Sequence, residues 1–261
     1  MILERIDPST RLLALALLTT PLLISIDIVS ASVSFALTLL VVAPLCGVGP
    51  ARLFRRAWPL LLLAPLTGVS MLFYGRASGQ SYVEWGFIHI TENSVQLAIA
   101  VMIRVLAVGV PAVVLTADMD PTRLGDGLAQ LWKLPTRFVI GAVAGVRLVS
   151  LFREDWTAVE RARRARGLGD EGKLKRALQQ SFSLLVLALR RGSKLATAME
   201  ARGFGATHNA EGQPIERTWA RQARFGRWDW AVVVGSLALS LLSLGVAVWT
   251  GHFVLLGVQN G

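Results

Sequence analysis

The stretch at residues 159–169, VERARRARGLG, carries four arginines within six positions at the end of a long helical pattern. A second stretch at residues 198–205, AMEARGFG, contains the same Ala-Arg-Gly tripeptide. Glycine often follows the last residue of a helix, because it adopts the left-handed backbone conformation without a steric penalty. The sequence therefore predicts two long helices, at about residues 136–167 and 173–203, that each end in an arginine.

The composition places these helices in a membrane protein. The chain has 261 residues, of which 53% are hydrophobic, and its mean hydropathy is +0.53, which is typical of the membrane class. Residues 118–228 hold 20 of the 27 lysines and arginines, so a basic middle separates an apolar N-terminal half from one apolar C-terminal segment. The single cysteine and three dispersed histidines predict no disulfide, metal site or cofactor: Cys46, His89, His208 and His252.

Five apolar segments are about long enough to cross a hydrocarbon core of ~30 Å as helices, although the first is short. They are residues 12–26, 28–46, 58–74, 94–116 and 230–249. Trp228, Trp230 and Trp249 flank the last segment as an aromatic belt would. We expect the first segment to be retained rather than cleaved as a signal peptide, because another apolar run follows at once.

The distribution of basic residues predicts the orientation. Arg5 and Arg11 precede the first span, and Arg52, Arg55 and Arg56 lie between the second and third. The basic middle follows the fourth span. The opposite side would hold the turn near Asp27, the loop at residues 75–93 and the tail from residue 251, with Arg76 as its one arginine. The positive-inside rule therefore places the N-terminus and the basic middle in the cytoplasm.

The predicted fold is an all-α integral membrane protein with about five transmembrane helices and a cytoplasmic domain of two long helices. Its predicted domains are a membrane domain at residues 1–117, a cytoplasmic domain at 118–228, and a last transmembrane helix with its tail at 229–261. Each long helix begins apolar and has small residues four apart, which lets a neighbouring helix approach closely: Gly141 and Gly145 in the first, and Ala188, Gly192 and Ala196 in the second. These residues predict either a crossing of the two helices or packing against the membrane bundle.

The two arginines at the helix ends are candidate binding residues. Small neighbours leave the guanidinium groups accessible, Ala162 and Ala165 beside Arg166 and Ala201 beside Arg202, and Gly167 and Gly203 complete the two tripeptides. An accessible guanidinium can form two parallel hydrogen bonds to a carboxylate. One such arginine is ordinarily explained by the helix dipole, but two identical endings 36 residues apart favour two equivalent sites on a partner.

At these positions the chain resembles the transmembrane T component of energy-coupling factor (ECF) transporters, the CbiQ/EcfT type. The resemblance covers nearly the whole chain and rests on IDPSTRLLAL at residues 6–15, IRVLAVGVPAVVLTADMDPTRL at 103–124, and the two Ala-Arg-Gly signatures. It implies that the long helices are coupling helices that cross in an X, and that the six signature residues dock in grooves of two ABC ATPases. It also implies that the membrane helices hold a substrate-binding S component, which takes up a vitamin or a transition-metal ion.

Other functions are less well supported by the residues. Arg104 lies inside the fourth span, where a charge is a functional candidate by default, so a stand-alone transporter or a membrane enzyme centred on it is the alternative. No acid–base pair or nucleophile accompanies Arg104. Asp27 and Glu84 are expected near the outer face, away from the middle of the membrane. We therefore predict a structural or gating role for Arg104. A phosphate-binding P-loop is lacking. The arginine run is flanked by acidic residues, which favours anionic lipids over nucleic acid.

Overall fold

The computed structural model describes residues 5–25, 27–74, 81–85, 88–167, 172–204, 206 and 218–251. Nearly all of this part of the chain is helical, as predicted. The helices are α1 (Pro8–Ile24), α2 (Ile28–Leu37), α3 (Ala43–Leu45), α4 (Pro50–Tyr74), α5 (Glu92–Leu115), α6 (Pro121–Gln130), α7 (Thr136–Ala165), α8 (Lys173–Ala201) and α9 (Arg227–Trp249). A π-helical turn, Thr38–Val42, joins α2 to α3.

The predicted apolar segments are confirmed as helices. Four are long and apolar enough to cross a membrane: Ile28–Leu45, Pro50–Phe73, Ser94–Leu115 and Arg227–Trp249. A fifth, Pro8–Leu23, is a shorter apolar helix. The third helix begins at Pro50 rather than at residue 58, because the basic residues before its apolar part are good helix formers and continue it. Hydropathy located the apolar part of this helix but not its first turns.

A two-stranded hairpin was not predicted. Strand β1 (Ser81–Trp85) pairs with β2 (Ile88–Thr91) in antiparallel register, with Trp85 opposite Ile88. It lies within residues 75–93, which were expected to form a loop. Several sequence predictions fall outside the described residues: those for Arg76, His208, His252 and the tail beyond 251, and those for the side chains of Glu84 and His89.

Contacts divide the chain into two compact units, one formed by residues 1–120 with 224–261 and the other by residues 121–223. In the first unit α4 packs along α5, and α9 packs against α1 and α2. Gly68 of α4 allows the close approach to α5, since a Cβ atom there would lie 2.4 Å from the Met102 sulfur. Small residues at such contacts are typical of membrane helices, because there packing rather than the exclusion of water holds the helices together.

The start of α1 is tied to the start of α9, which lies at the other end of the sequence. Asp7 caps α1 by accepting hydrogen bonds from the N–H and the hydroxyl of Ser9, at 2.9 and 2.7 Å. The Asp7 N–H donates to Oδ1 of Asp229 at 2.8 Å. Oδ2 of Asp229 accepts the N–H of Gly226, also at 2.8 Å. Both oxygens of one buried carboxylate therefore serve backbone donors at the two helix starts.

Arg11 extends this contact toward the end of α5. Its side chain is only 4% exposed, and it donates long hydrogen bonds to the carbonyls of Ile6 at 3.4 Å and Ala117 at 3.5 Å. Arg56, near the start of α4, donates to Asp118, which follows the α5 span, at 2.7 Å, and this hydrogen bond lowers the pKa of the Asp118 carboxyl. The Asp-Pro-Ser-Thr-Arg sequence thus connects several helices at one end of the first unit.

In the second unit α6 packs against α7. A Cβ atom at Gly125 would lie 2.4 Å from a methyl group of Val143, so the absence of a side chain at Gly125 permits this contact. The amide of Gln130 donates to the carbonyl of Arg221 and accepts the N–H of Ala223, both at 2.9 Å. The unit therefore holds residues 221–223 against the end of α6.

Candidate functional site

Arg166 ends the first long helix. It is the C-cap of α7, with φ −91° and ψ 8°, and its N–H donates to the carbonyl of Arg163 at 3.1 Å. Gly167 then takes the left-handed conformation at φ +72°, and its N–H donates to the carbonyl of Arg164. The glycine thus stops the helix immediately after the arginine, because residues with a Cβ rarely adopt this conformation.

Arg202 ends the second long helix in the same way. It is the C-cap of α8, with φ −91° and ψ 11°, and it is followed by Gly203 at φ +74°. The Gly203 N–H donates to the carbonyl of Glu200 at 2.9 Å, and the Phe204 N–H donates to that of Met199 at 2.8 Å. These two bonds form a Schellman motif. The two tripeptides therefore share one backbone geometry as well as one sequence.

Both helix ends are open to solvent. The six residues are all exposed: Ala165, Arg166, Gly167, Ala201, Arg202 and Gly203. Within the part of the chain that the structure describes, neither the Arg166 nor the Arg202 guanidinium makes a hydrogen bond or an ion pair. Each end therefore presents unused N–H donors beside the last carbonyls of its helix, a combination that suits a partner carrying both carboxylates and donors.

The other arginines of the run have internal roles that the sequence did not reveal. Arg163 donates to the side-chain oxygen of Gln179 on α8 at 2.6 Å. Arg164 donates to Glu160 one turn earlier on the same helix, at 2.5 Å. Two of the four arginines are thus engaged within this unit, which accounts for part of the density of the run.

A bidentate ion pair also links α7 and α8. Arg191 donates to both carboxylate oxygens of Asp155, at 2.5 and 2.9 Å. The two residues are 36 positions apart, which is also the separation of Arg166 and Arg202. This repeated offset is the sequence signal that could have identified the pair, since Asp155 was treated only as one acidic residue near the arginine run.

Within the described part of the chain, the glycines of the two small-residue stripes have no close neighbour. A Cβ atom placed at Gly141, Gly145 or Gly192 would meet nothing within 4 Å, while Ala188 is half-buried and Ala196 is exposed. Large apolar side chains near these positions are also uncovered, including Phe138 at 78% and Phe182 at 69% exposure. Among the described residues, the side-chain hydrogen bonds between α7 and α8 include those of Arg163 with Gln179 and of Arg191 with Asp155.

Comparison with known proteins identifies the family. A family model described as "CbiQ: Cobalt transport protein" matches residues 1–213. The chain belongs to the CbiQ family. Its relatives include proteins named energy-coupling factor transporter transmembrane protein EcfT. The Lacticaseibacillus paracasei protein is 27% identical over 254 residues, or 92% of each chain. The Lactococcus lactis protein is 25% identical over 259 residues, also 92% of each, and the Limosilactobacillus fermentum protein is 28% identical over 197 residues, 70% of each.

This CbiQ-family chain is a multi-pass membrane protein, and Arg104 lies at the middle of its α5 helix. The Nε and Nη2 atoms of Arg104 are buried and have no hydrogen-bond partner in the structure. The charge of the Asp27 carboxylate attracts the Arg104 guanidinium. Both oxygens of Asp27 accept hydrogen bonds from Ser30, one from its N–H and one from its hydroxyl.

A cavity of about 360 Å³ lies in the first unit of this family member, between α1, α3 and α9. Its lining is almost entirely apolar: Ile6, Ala14, Leu18, Val41, Val42, Leu45, Cys46, Leu115, Trp228, Ala231, Val232, Gly235, Ser236, Ala238 and Leu239. Sites for polar solutes need several convergent polar groups, and here Ser236 supplies the one hydroxyl. The cavity thus does not favour a stand-alone transporter of a vitamin or a metal ion.

Proposed function

We propose that this chain is the transmembrane component of an energy-coupling factor transporter. It transmits ATP-driven motion of two ABC ATPases to a substrate-binding S component, which carries a vitamin or a transition-metal ion. The observation that carries this proposal is the pair of matched, open Ala-Arg-Gly helix ends in a chain whose EcfT-named relatives align over 92% of both lengths. In this role the chain itself performs no catalysis, and ATP is hydrolysed by its partners.

The two helix ends are the proposed ATPase-binding residues. A guanidinium presents a fixed fork of donors to a carboxylate in a groove, and the helix carbonyls beside it accept hydrogen bonds from the same groove. Arg166 and Arg202 have the same local backbone and are both exposed. Two equivalent ends suit two equivalent grooves, one on each ATPase of a pair.

The small-residue stripes are the proposed contact with the S component. Gly141 and Gly145 lie on one face of α7 with Phe138, at helical spacing, and a helix could approach them closely because the space above both glycines is empty. On α8, Ala188, Gly192 and Ala196 repeat every four residues. Large apolar side chains near the glycines of α7 are uncovered, including Phe138, Val146 and Val149, and clustered exposed apolar side chains are typical of interaction surfaces.

Both long helices are proposed to lie in the cytoplasm, with the N-terminus on the same side. In a Cys46→Ser background we expect a membrane-impermeant maleimide to label Thr250→Cys in intact cells, and Thr197→Cys only after lysis. Thr197 lies on α8 and Thr250 follows α9. The background variant without a new cysteine is the control. Labelling of Thr197→Cys in intact cells would contradict this orientation.

Co-purification tests the proposed function. A tagged full-length chain, solubilised from membranes of its native host, is expected to bring down two ABC ATPase subunits and a small membrane protein, identified by mass spectrometry. An equally tagged, unrelated multi-pass protein from the same membranes is the control. A chain that purifies without ATPases yet supports ATP-independent uptake in liposomes would instead support the stand-alone transporter.

A further inference from the structure

The ion pair between Asp155 and Arg191 lies at equivalent positions of the two long helices. Asp155 and Arg191 are separated by 36 residues, and so are Arg166 and Arg202. Asp155 therefore precedes Arg166 by the same number of positions as Arg191 precedes Arg202. At 1.5 Å per residue, each tip is ~16 Å along its helix from the ion pair. The pair is therefore equidistant from Arg166 and Arg202.

The two helices run in opposite directions at this contact. Asp155 on α7 pairs with Arg191 on α8, and Arg163, later on α7, pairs with Gln179. Gln179 comes before Arg191 on α8, so the order of the partners is reversed. The two tips thus extend to opposite sides of the ion pair. Equal distances in opposite directions place Asp155 and Arg191 near a local twofold axis that relates the two Ala-Arg-Gly ends.

The contact is well suited to fixing this geometry. The Asp155 side chain is 14% exposed and that of Arg191 is 40% exposed, so solvent screens the pair only in part. Two parallel hydrogen bonds fix the orientation of the guanidinium as well as its distance. Among the residues that the structure describes, Gly141, Gly145 and Gly192 make no close contact that could do the same.

We propose that Asp155 and Arg191 are positioning residues, which hold the two ATPase-binding tips at one spacing and transmit force from one coupling helix to the other. This inference rests on the proposed function. A rigid pair of helices converts the approach of two ATPases into a movement of the membrane helices. Helices that slide past each other absorb the same approach without transmitting it.

Distances between spin labels test the structural part of the inference in the isolated full-length chain. The labels are attached at Arg161→Cys and Thr197→Cys, which lie at equivalent exposed positions between the ion pair and the tips, in a Cys46→Ser background. We expect a narrow distance distribution, broadened by Asp155→Ala and by Arg191→Ala. The charge-swapped variant Asp155→Arg/Arg191→Asp should restore much of the narrow distribution. An unchanged distribution in both alanine variants would overturn the proposal.

Transport tests the functional part. In the reconstituted complex we expect Asp155→Ala and Arg191→Ala to retain both ATPases, because the tips are unaltered, but to lower ATP-driven uptake by about fivefold or more. Arg191→Lys keeps the charge but loses the two-bond fork, so its uptake should be intermediate, and the charge swap should recover uptake. Full uptake in both alanine variants would refute the positioning role. Wild-type chain that fails to bind ATPases would instead refute the proposed function, and the label distances would still decide whether the pair fixes the helices.

Discussion

Replacing Arg166 and Arg202 together with glutamate is expected to abolish co-purification of the ATPases and, with it, ATP-driven uptake. Each substitution puts a carboxylate where the proposed groove receives a guanidinium. Removing one partner of a buried charge pair at an interface costs about 2–5 kcal/mol, which is about thirtyfold or more in affinity for each tip. The backbone at both ends should persist, since Gly167 and Gly203 set it and remain in place.

The single substitutions should be milder than the double one. While one tip is docked, the other ATPase is held nearby through its partner, so the weakened tip still binds at a high effective concentration. A variant with the same change in net charge, Arg153→Glu/Lys194→Glu, is the matched control, because both residues are exposed on the same helices away from the tips. Retention of both ATPases by the double tip variant, or their loss in the control, would contradict docking through these arginines.

The helix ends could be predicted from the sequence because their chemistry is local. Gly167 and Gly203 stop their helices through a backbone preference that needs no distant contact, and the structure has both in the left-handed conformation. The apolar spans follow for a similar reason, since lipid demands long apolar helices whatever their neighbours. The family resemblance rested on the same local signatures, and the match over residues 1–213 confirms it.

The contacts between helices could not be predicted, because side-chain partners depend on three-dimensional register. Asp155 and Arg191 each look like one more surface charge in a charged helix, and only their 36-residue offset hints at a pair. The link from Asp7 to Asp229 spans 222 residues, and nothing in either local sequence specifies it. The β-hairpin was missed because its two strands are short, with five and four residues, and the segment was assigned to a loop.

Replacing Asp229 with alanine is expected to destabilise the membrane unit more than any other single change at its helix starts. The Asp229 side chain is 2% exposed, and its two oxygens accept the backbone N–H groups of Asp7 and Gly226. Alanine leaves the N–H of the half-buried Asp7 without an acceptor, at a cost of about 1–3 kcal/mol, whereas the N–H of the exposed Gly226 turns to solvent. It also removes a negative charge from the first turn of α9, where the helix dipole favours one.

Thermal unfolding of the purified chain in detergent measures this cost. At about 2–4 °C per kcal/mol, the loss of about 1–3 kcal/mol in Asp229→Ala should lower the melting temperature by about 2–12 °C. Asp229→Asn keeps one oxygen acceptor, so it should lose roughly half as much. Ser243→Ala is the matched control on the same helix, because its buried hydroxyl donates only to Ser240 within α9 and its loss should cost about 1 kcal/mol or less. If Asp229→Ala melted like Ser243→Ala, the carboxylate would not join the two chain ends, and α1 and α9 would have to be held together by apolar packing alone.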